Sequence, residues 1–436
     1  MIPMKSRLLP LLEKIIKTLA KLTLKRYKPG IIGITGNVGK TSAKEAIRLL
    51  LERERKVRAN SKNFNNEFGL PLTILGNWKD TEGRLFWIKV ILSSIINLLI
   101  KRKSYPELLI LEYGIDRPGD MRKLLEIARP HIGVVTAIGK TPVHVEFFAG
   151  KEGVIREKAR MISQLPATGF AVLNADDEAV LGMRDHTRAH GITFGYSERA
   201  DIKISNLETQ IQNRVPSISF KLNYGGSFVP VRMEGVLGKT QTYAAGAAAV
   251  IGVVFGMNLV KIAENLGAYK SPKGRMNVLG GIKNSVIIDD TYNSSPLAAK
   301  EALETLKEIK AKRKIAVLGD MLELGKHSIE EHENIGKIAA KTAKILITVG
   351  AKGKFIGESA MKAGLPKKSV FICKGIAEAF SLLTRTIEEG DMVLVKGSQS
   401  VRMEYVVKGV MEDSSKAEEL LVRQSSAWLE KPPMYK

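Results

Sequence analysis

Cysteine is almost missing from this 436-residue chain. Cys373 stands alone, so no intrachain disulfide can form, and the usage points to a reducing compartment, the cytoplasm. Long apolar runs are lacking too. The longest, LFWIKVILSSIINLLI at 85–100, has sixteen residues and carries Lys89. A bilayer span needs about 20. At the N-terminal end, charges interrupt any apolar stretch long enough for a signal-peptide core. Acidic residues are scarce: 45 Asp and Glu against 68 Lys and Arg leave a net charge of +23. That excess suits anionic partners, whether nucleotides, acidic precursors, an anionic membrane surface or nucleic acid; a lysine-rich composition without a specific partner explains it equally well. Aromatics make up 6% and do not interleave with basic residues in the manner of a nucleic-acid groove, so no nucleic acid is expected. Repeats and low-complexity segments are absent, and 44% apolar residues at this length imply two or three domains with their own cores.

What is present is a phosphate-binding signature. GITGNVGKTS runs from Gly33 to Ser42, after a break at Pro29 and Gly30 and a short apolar strand at Ile31, Ile32 and Ile34. Gly36, Gly39, Lys40 and Thr41 turn the chain into a helix predicted to begin near Ser42. Such a turn offers backbone N–H groups, a helix N-terminus and one ammonium to phosphate oxygens, and a threonine hydroxyl to Mg²⁺. A strict Walker pattern would have glycine at position 34; here the spacing is Gly-x-x-Gly-x-x-Gly-Lys-Thr. Gly36, Asn37, Gly39, Lys40, Thr41 and Ser42 are the expected nucleotide contacts. The chain reads as a nucleoside triphosphate binder.

Before this loop, residues 5–27 predict a basic amphipathic helix. Leu8, Leu12, Ile15, Ile16, Leu19 and Leu22 share one face, with Lys14, Lys17, Lys21 and Lys25 opposite. It either docks on the rest of the protein or lies on an anionic membrane. After the loop, Asn63, Asn65 and Asn66 crowd a turn closed by Gly69 and Pro71, as a substrate-facing loop or an ordinary turn. The run at 85–100 fits an interfacial helix or a buried one. A second strand at 108–111 ends in Glu112 and Gly114, where a carboxylate beside a phosphate loop usually meets Mg²⁺. Another at 132–138 precedes His144 in a loop and Lys158 on a helix. Residues 201–235 alternate as a small antiparallel sheet. Past a linker at Pro272 to Gly274, strands at 286–288, 315–318, 346–349 and 392–395 alternate with helices such as 296–310. The expected fold is therefore α/β: a central P-loop ATPase domain with a mainly parallel sheet, plus a C-terminal Rossmann-like doubly wound domain. The boundaries are 1–29 for the N-terminal helix, 30–272 for the central domain with an apolar insertion at 78–105, and 273–436 for the last.

At DDTYNSSP, 289–296, the chain resembles the Mur ligases, and among them the D-alanyl-D-alanine-adding branch. The resemblance runs from about 30 to 410. GITGNVGKTS, NFNNEFGLPLTIL, LEYG, HVEFF, GRM, DDTYNSSP, VLGDMLELG and VKGSQSVRME carry it, in the family's order. It implies an ATP-dependent amide ligase of peptidoglycan synthesis: ATP phosphorylates a muramoyl-peptide carboxylate, and an amine, here D-Ala-D-Ala, attacks the acyl phosphate. On this resemblance Lys40 holds the β- and γ-phosphates, and Thr41 and Glu112 hold Mg²⁺. His144 and a carbamylated Lys158 hold a second Mg²⁺. Arg275 reaches the phosphates from the C-terminal domain, and Asp290 and Asn293 meet the nucleoside. Lys396, Ser398 and Arg402 face the amine's carboxylate, and the Asn63, Asn65 and Asn66 loop faces the acceptor.

Three features depart from the family. Only about 30 residues precede the phosphate loop, where its members carry a UDP-gripping domain. A Gly-x-His-Asn motif expected near adenine reads GKTQ, with Thr240 and Gln241. The segment holding 85–100 runs some 25 residues longer than usual. Another acid and amine pair, as in a poly-γ-glutamate-type synthetase, and a non-catalytic basic NTPase are the competing readings. The expected location is the cytoplasm, with peripheral attachment to the inner membrane face as the alternative for the two apolar–basic segments.

Overall fold

The structure is a computed structural model that describes residues 9–60, 64–78, 83–100, 102–212 and 214–435. Its first nine strands are β1 (Gly30–Thr35), β2 (Val57–Ala59), β3 (Leu108–Glu112), β4 (Ile132–Val135), β5 (Phe170–Asn174), β6 (His190–Gly195), β7 (Ile202–Gln212), β8 (Val215–Tyr224) and β9 (Ser227–Glu234). They form one sheet in the order β2-β3-β1-β4-β5-β6-β7-β8-β9. Pairing is parallel as far as β7 and antiparallel from β7 to β9. The alternating stretch at 201–235 is thus not a sheet of its own, because β7 pairs in parallel with β6 and extends the main sheet.

β1 and β3 read as continuous apolar runs because both faces of a parallel sheet are covered. On one face lie α2 (Lys40–Glu52) and the helix Lys239–Val254, whose alanines let the two helices approach closely over Ile47, Leu50 and Phe194. On the other lie α1 (Leu9–Tyr27), α3 (Gly69–Leu75), α4 (Arg84–Leu99), α5 (Asp120–Ile127) and α6 (Gly150–Ser163). α1 is therefore docked: Leu12, Ile16, Leu19, Ala20 and Thr23 are buried against this face. The docked face is turned slightly from the expected one, leaving Leu22 46% exposed. Residues 5–8 of the expected helix lie outside the described residues.

The remaining strands, β10 (Asn277–Gly280), β11 (Val286–Asp290), β12 (Arg313–Gly319), β13 (Ile345–Val349), β14 (Val370–Cys373) and β15 (Asp391–Lys396), make a second sheet. Its order is β10-β11-β15-β12-β13-β14, parallel except for β10. Helices cover both its faces. In each sheet the strand order reverses beside a chemistry-bearing strand end, and a crevice opens there at the carboxyl ends. In the first sheet that crevice lies at the end of β1, between β3 and β4.

Candidate active site

The phosphate loop fills the first crevice. Ile34 is wholly buried within β1, so the position that departs from the strict Walker pattern belongs to the strand and not to the turn. The turn itself depends on glycine. Gly36 has φ 138° and a side chain there would meet Thr136 Oγ1 at 2.1 Å; Gly39 has φ 88° and precedes α2. Asn37 and Val38 donate their backbone N–H groups to the carbonyl of Ala137, and the Asn37 amide donates to that of Ile138 at 3.0 Å, tying the loop to the exit of β4. α2 starts at Lys40, two residues earlier than its expected start, with no side chain capping its N-terminus. Ser42 is buried in that first turn.

Two lysines meet on one carbonyl. Lys40 Nζ donates to the Gly36 oxygen at 2.8 Å, and Lys158 Nζ, from α6, reaches the same oxygen at 3.1 Å. Lys158 is 2% exposed. Burial pulls its amine well below the ordinary lysine value, Lys40 adds to the pull, and Asp116, Glu112 and Glu157 oppose it. The amine end of Lys40 is enclosed although the residue keeps some surface. Burial lowers its pKa, Glu112 opposes, Arg275 adds to the lowering, and Asp116 opposes.

Glu112 ends β3 and turns Oε2 toward the hydroxyl of Thr41 at 3.4 Å, with Lys44 Nζ 3.9 Å away. This donor set fits one Mg²⁺, an ion usually held by one or two carboxylates and completed by phosphate oxygens and water. Among the described residues no group of three or more His, Cys, Asp or Glu forms a ready-made metal cage.

His144 lies where the two domains touch. Its Nε2 is 3.4 Å from Asp116, and its Nδ1 is 2.8 Å from Glu323 of the second domain, close but not aligned as a hydrogen bond. Thr141 donates to Glu331 across the same boundary. Neither Asp116, Glu323 nor Glu331 was singled out from the sequence. Asp116, four residues after Glu112, is the one that spacing would have flagged.

From the second sheet, the Arg275 guanidinium lies over the Tyr292 ring at 4.0 Å, close enough to repel Lys40. Asp290 and Lys396 close the carboxyl ends of β11 and β15 and pair at 2.6 Å, with Lys396 also donating to the Asn293 carbonyl at 3.0 Å. The Asn293 side chain accepts from the Ser294 N–H at 2.9 Å. Ser398 Oγ accepts from the backbone of Leu322 at 2.9 Å. Arg402 corrects an expectation. It is 1% exposed, pairs with Glu404 and donates to the carbonyls of Trp428 and Lys431, so its guanidinium is held inside the protein by its own chain.

The Asn66 side-chain oxygen accepts from the N–H groups of Phe68 and Gly69 just before α3, and the Asn65 carbonyl accepts from Gly114 at 2.9 Å, two residues past Glu112. Asn63 lies outside the described residues. Gln241 of the GKTQ stretch is buried, donating to the Arg275 carbonyl and accepting from Tyr269. Between the domains runs a cleft of about 670 Å³, from Val38, Gly39 and Thr240 past Tyr243 to Leu297 and Ile335. Its apolar walls beside the phosphate loop are suited to a nucleoside, and sequence motifs alone marked few of its lining residues.

The comparisons with known proteins agree with this geometry. The family model described as the Mur ligase middle domain matches residues 94–252, and that of the Mur ligase glutamate ligase domain matches 274–399. A protein of Mycobacterium leprae named UDP-N-acetylmuramoyl-tripeptide--D-alanyl-D-alanine ligase is 30% identical over 400 residues, spanning 85% of this chain and 71% of that one. This chain is a Mur ligase. A relative with the same name from Rickettsia prowazekii is 28% identical over 387 residues, covering 87% of this chain and 78% of its own. The solved MurF ligase of Thermotoga maritima in complex with ADP matches with a TM-score of 0.75 at 26% identity, over 91% of this chain and 83% of that one. Mur ligases are ATP-dependent C–N bond-forming enzymes. In this Mur ligase a phosphate loop on one domain faces cationic and polar groups on another across a cleft.

Proposed function

We propose that this Mur ligase joins D-Ala-D-Ala to the terminal carboxylate of a UDP-N-acetylmuramoyl-tripeptide, with ATP as the activating substrate. The reading divides the chain into a central domain at 30–272 and a C-terminal domain at 273–436. The observation that carries it is the convergence of Lys40 and Lys158 on the Gly36 carbonyl, beside Glu112 and Thr41 and opposite Arg275. The names borne by the relatives supply the substrate pair.

In this reading the bound triphosphate takes up Lys40 and Arg275, which neutralise charge as the γ-phosphoryl passes to the acceptor carboxylate. The products of that half are ADP and an acyl phosphate. The amine of D-Ala-D-Ala then attacks the acyl carbon, the C–N bond forms, phosphate leaves, and the amine's proton passes to solvent. Thr41 and Glu112 would hold one Mg²⁺, which screens phosphate charge when bound. Lys158 is suited to carbamylation because its buried amine favours the neutral form: R–NH₂ and CO₂ give R–NHCOO⁻ and one proton. The anion formed relieves the repulsion between Lys158 and Lys40. With His144 it would complete a second Mg²⁺ site. Lys396, Ser398, Asp290 and Asn293 would lie toward the amine and the nucleoside, and Asn65 and Asn66 toward the acceptor.

The test is a substrate panel read by mass spectrometry: UDP-N-acetylmuramoyl-tripeptide with D-Ala-D-Ala against other acid and amine pairs, each with ATP and Mg²⁺. Stoichiometric ADP, phosphate and pentapeptide product from the first pair is expected. Turnover confined to a different acid or amine would replace the assigned substrates, and ATP hydrolysis without any amide product would remove the ligase reading.

A further inference from the structure

α4 is more apolar outside than inside. Toward the protein it turns Phe86, Val90 and Ser94, all buried. Leu85, Ile88, Leu92, Ile95, Ile96 and Leu99 fall in an arc of about 100° on the opposite side, at the helical step of 100° per residue. All six are exposed, Leu85 by 81% and Leu99 by 75%. α1 continues the surface with Leu11 and Leu22, 55% and 46% exposed. On the α1 wheel Leu22 sits about 40° from Arg26, and Arg26 donates to the Leu99 carbonyl, so this side of α1 adjoins α4. Exposed cations edge the apolar surface: Lys21 and Lys25 on α1, Lys89 on α4, and Arg102 and Lys103 just beyond it. A contiguous apolar surface of this kind on an otherwise well-packed domain marks an interaction site.

We propose that the α1–α4 layer is a docking face for the surface of an anionic phospholipid bilayer. The proposal stands apart from the ligase reading, since no active-site residue enters it. Charge complementarity selects the occupant. Aliphatic side chains flanked by lysine and arginine suit a helix lying in the plane of the headgroups, its apolar side among the acyl chains and its cations on lipid phosphates. A second copy of the chain would bring Lys21, Lys25, Lys89, Arg102 and Lys103 against the same cations. Crossing the bilayer is not an option for α4: its 16 residues span about 24 Å against a hydrocarbon core of about 30 Å. Among the described residues no helix is long and apolar enough to cross a membrane.

Flotation of the full chain with phosphatidylcholine vesicles, with and without phosphatidylglycerol, tests this. Binding to the phosphatidylglycerol vesicles at low salt, little binding to phosphatidylcholine alone, and release as salt rises are expected. Leu92→Asp with Ile95→Asp should lower the bound fraction about tenfold or more while ADP release in the ligase assay is unchanged. Leu92→Ser serves the same purpose if the double variant fails to fold. Lys21→Glu with Lys25→Glu should abolish the preference for phosphatidylglycerol. Failure to float with phosphatidylglycerol vesicles at low salt, or flotation untouched by the α4 variants, would overturn the proposal. So would a dimer in solution that the α4 variants split, which would identify the occupant as a second copy.

Discussion

At the carboxyl end of β1, the amines of Lys40 and Lys158 are buried together, with the half-buried Arg275 close enough to repel Lys40. On the outer side of α4, six aliphatic side chains are exposed, with none of the described residues over them. The two regions break opposite rules. Buried lysines carry a desolvation penalty that Glu112 and Asp116 offset only in part, since both amines stay below their ordinary pKa, and exposed leucines forgo about 25 cal/mol for each Å² left in contact with water. Much of the same domain obeys both rules, with Ile47, Leu50 and Val134 inside and charges such as Arg48 and Arg122 paired on its surface, although Phe228 and Val260 are exposed singly. Local violations of this kind mark places built for a partner. On the two readings proposed above, a triphosphate would relieve the first and a lipid surface the second, so the two regions call for ligands of different chemistry.

The sharpest way to break the comparison is to remove the lysine that meets the phosphates in the proposed reading. Lys40→Ala should lower amide formation and coupled ADP release about a thousandfold, because its charge acts most strongly in the transition state. Turnover within a few-fold of the parent would show that the cation cluster is not a phosphate site.

Lys158→Ala should fall about a hundredfold or more, with partial recovery in acetate, a small anion that can replace a carbamate. The pH dependence follows from the lowered amine pKa. A depressed pKa means that the free amine is present at lower pH than for an ordinary lysine, and carbamylation requires that form. In bicarbonate, activity should therefore rise with pH and level off below the usual lysine range, with a carbamate mass seen on Lys158. A Lys158→Ala enzyme as active as the parent would reduce it to a packing residue.

The next test sets the two sides of α4 against each other. Val90→Asp, on the inner side, should cost about 3 kcal/mol of stability or more by burying an unpaired charge. Leu92→Asp, on the outer side, should stay within about 0.5 kcal/mol. Equal losses in urea denaturation would mean that both faces are covered.

The smallest effect concerns Asp289, buried behind the nucleotide cleft, where burial is the main cause raising its carboxyl from 3.8 to about 6. The folded state holds this proton more tightly than the unfolded chain, so the associated stability is present below the ordinary carboxylate value and is lost as pH rises through about 6. Asp289→Asn should flatten that slope and raise Tm at neutral pH by about 2–4 °C. An unchanged slope in thermal melts from pH 4 to 7 would show that the carboxyl is compensated.

Much of the site was legible in the chain because its chemistry is local. Gly36, Gly39, Lys40 and Thr41 act within one turn, and Glu112 is set by being the last residue of an apolar strand, so spacing alone located them. Lys158 could be named only through the family resemblance, since a lysine on a polar helix carries no sign of burial. Arg402 shows the same limit in reverse: its motif suggested a substrate contact, but in the fold it is bound to residues 404, 428 and 431. The boundary contacts of His144 and Thr141 with Glu323 and Glu331 link positions some 180 residues apart, a distance no periodicity spans.

By itself, then, the sequence determined the α/β alternation, the phosphate loop and the family, because hydrophobic period, glycine geometry and motif order are encoded over a few consecutive residues. Tertiary structure alone decided what stands where the two domains touch and which side of each apolar helix is covered. The run at 85–100 shows the reason. Apolar residues occupy nearly its whole circumference, so its own pattern names no inner face, and the choice fell to what packs beneath it: α1, α3 and the sheet took Phe86, Val90 and Ser94 and left the leucines and isoleucines outside.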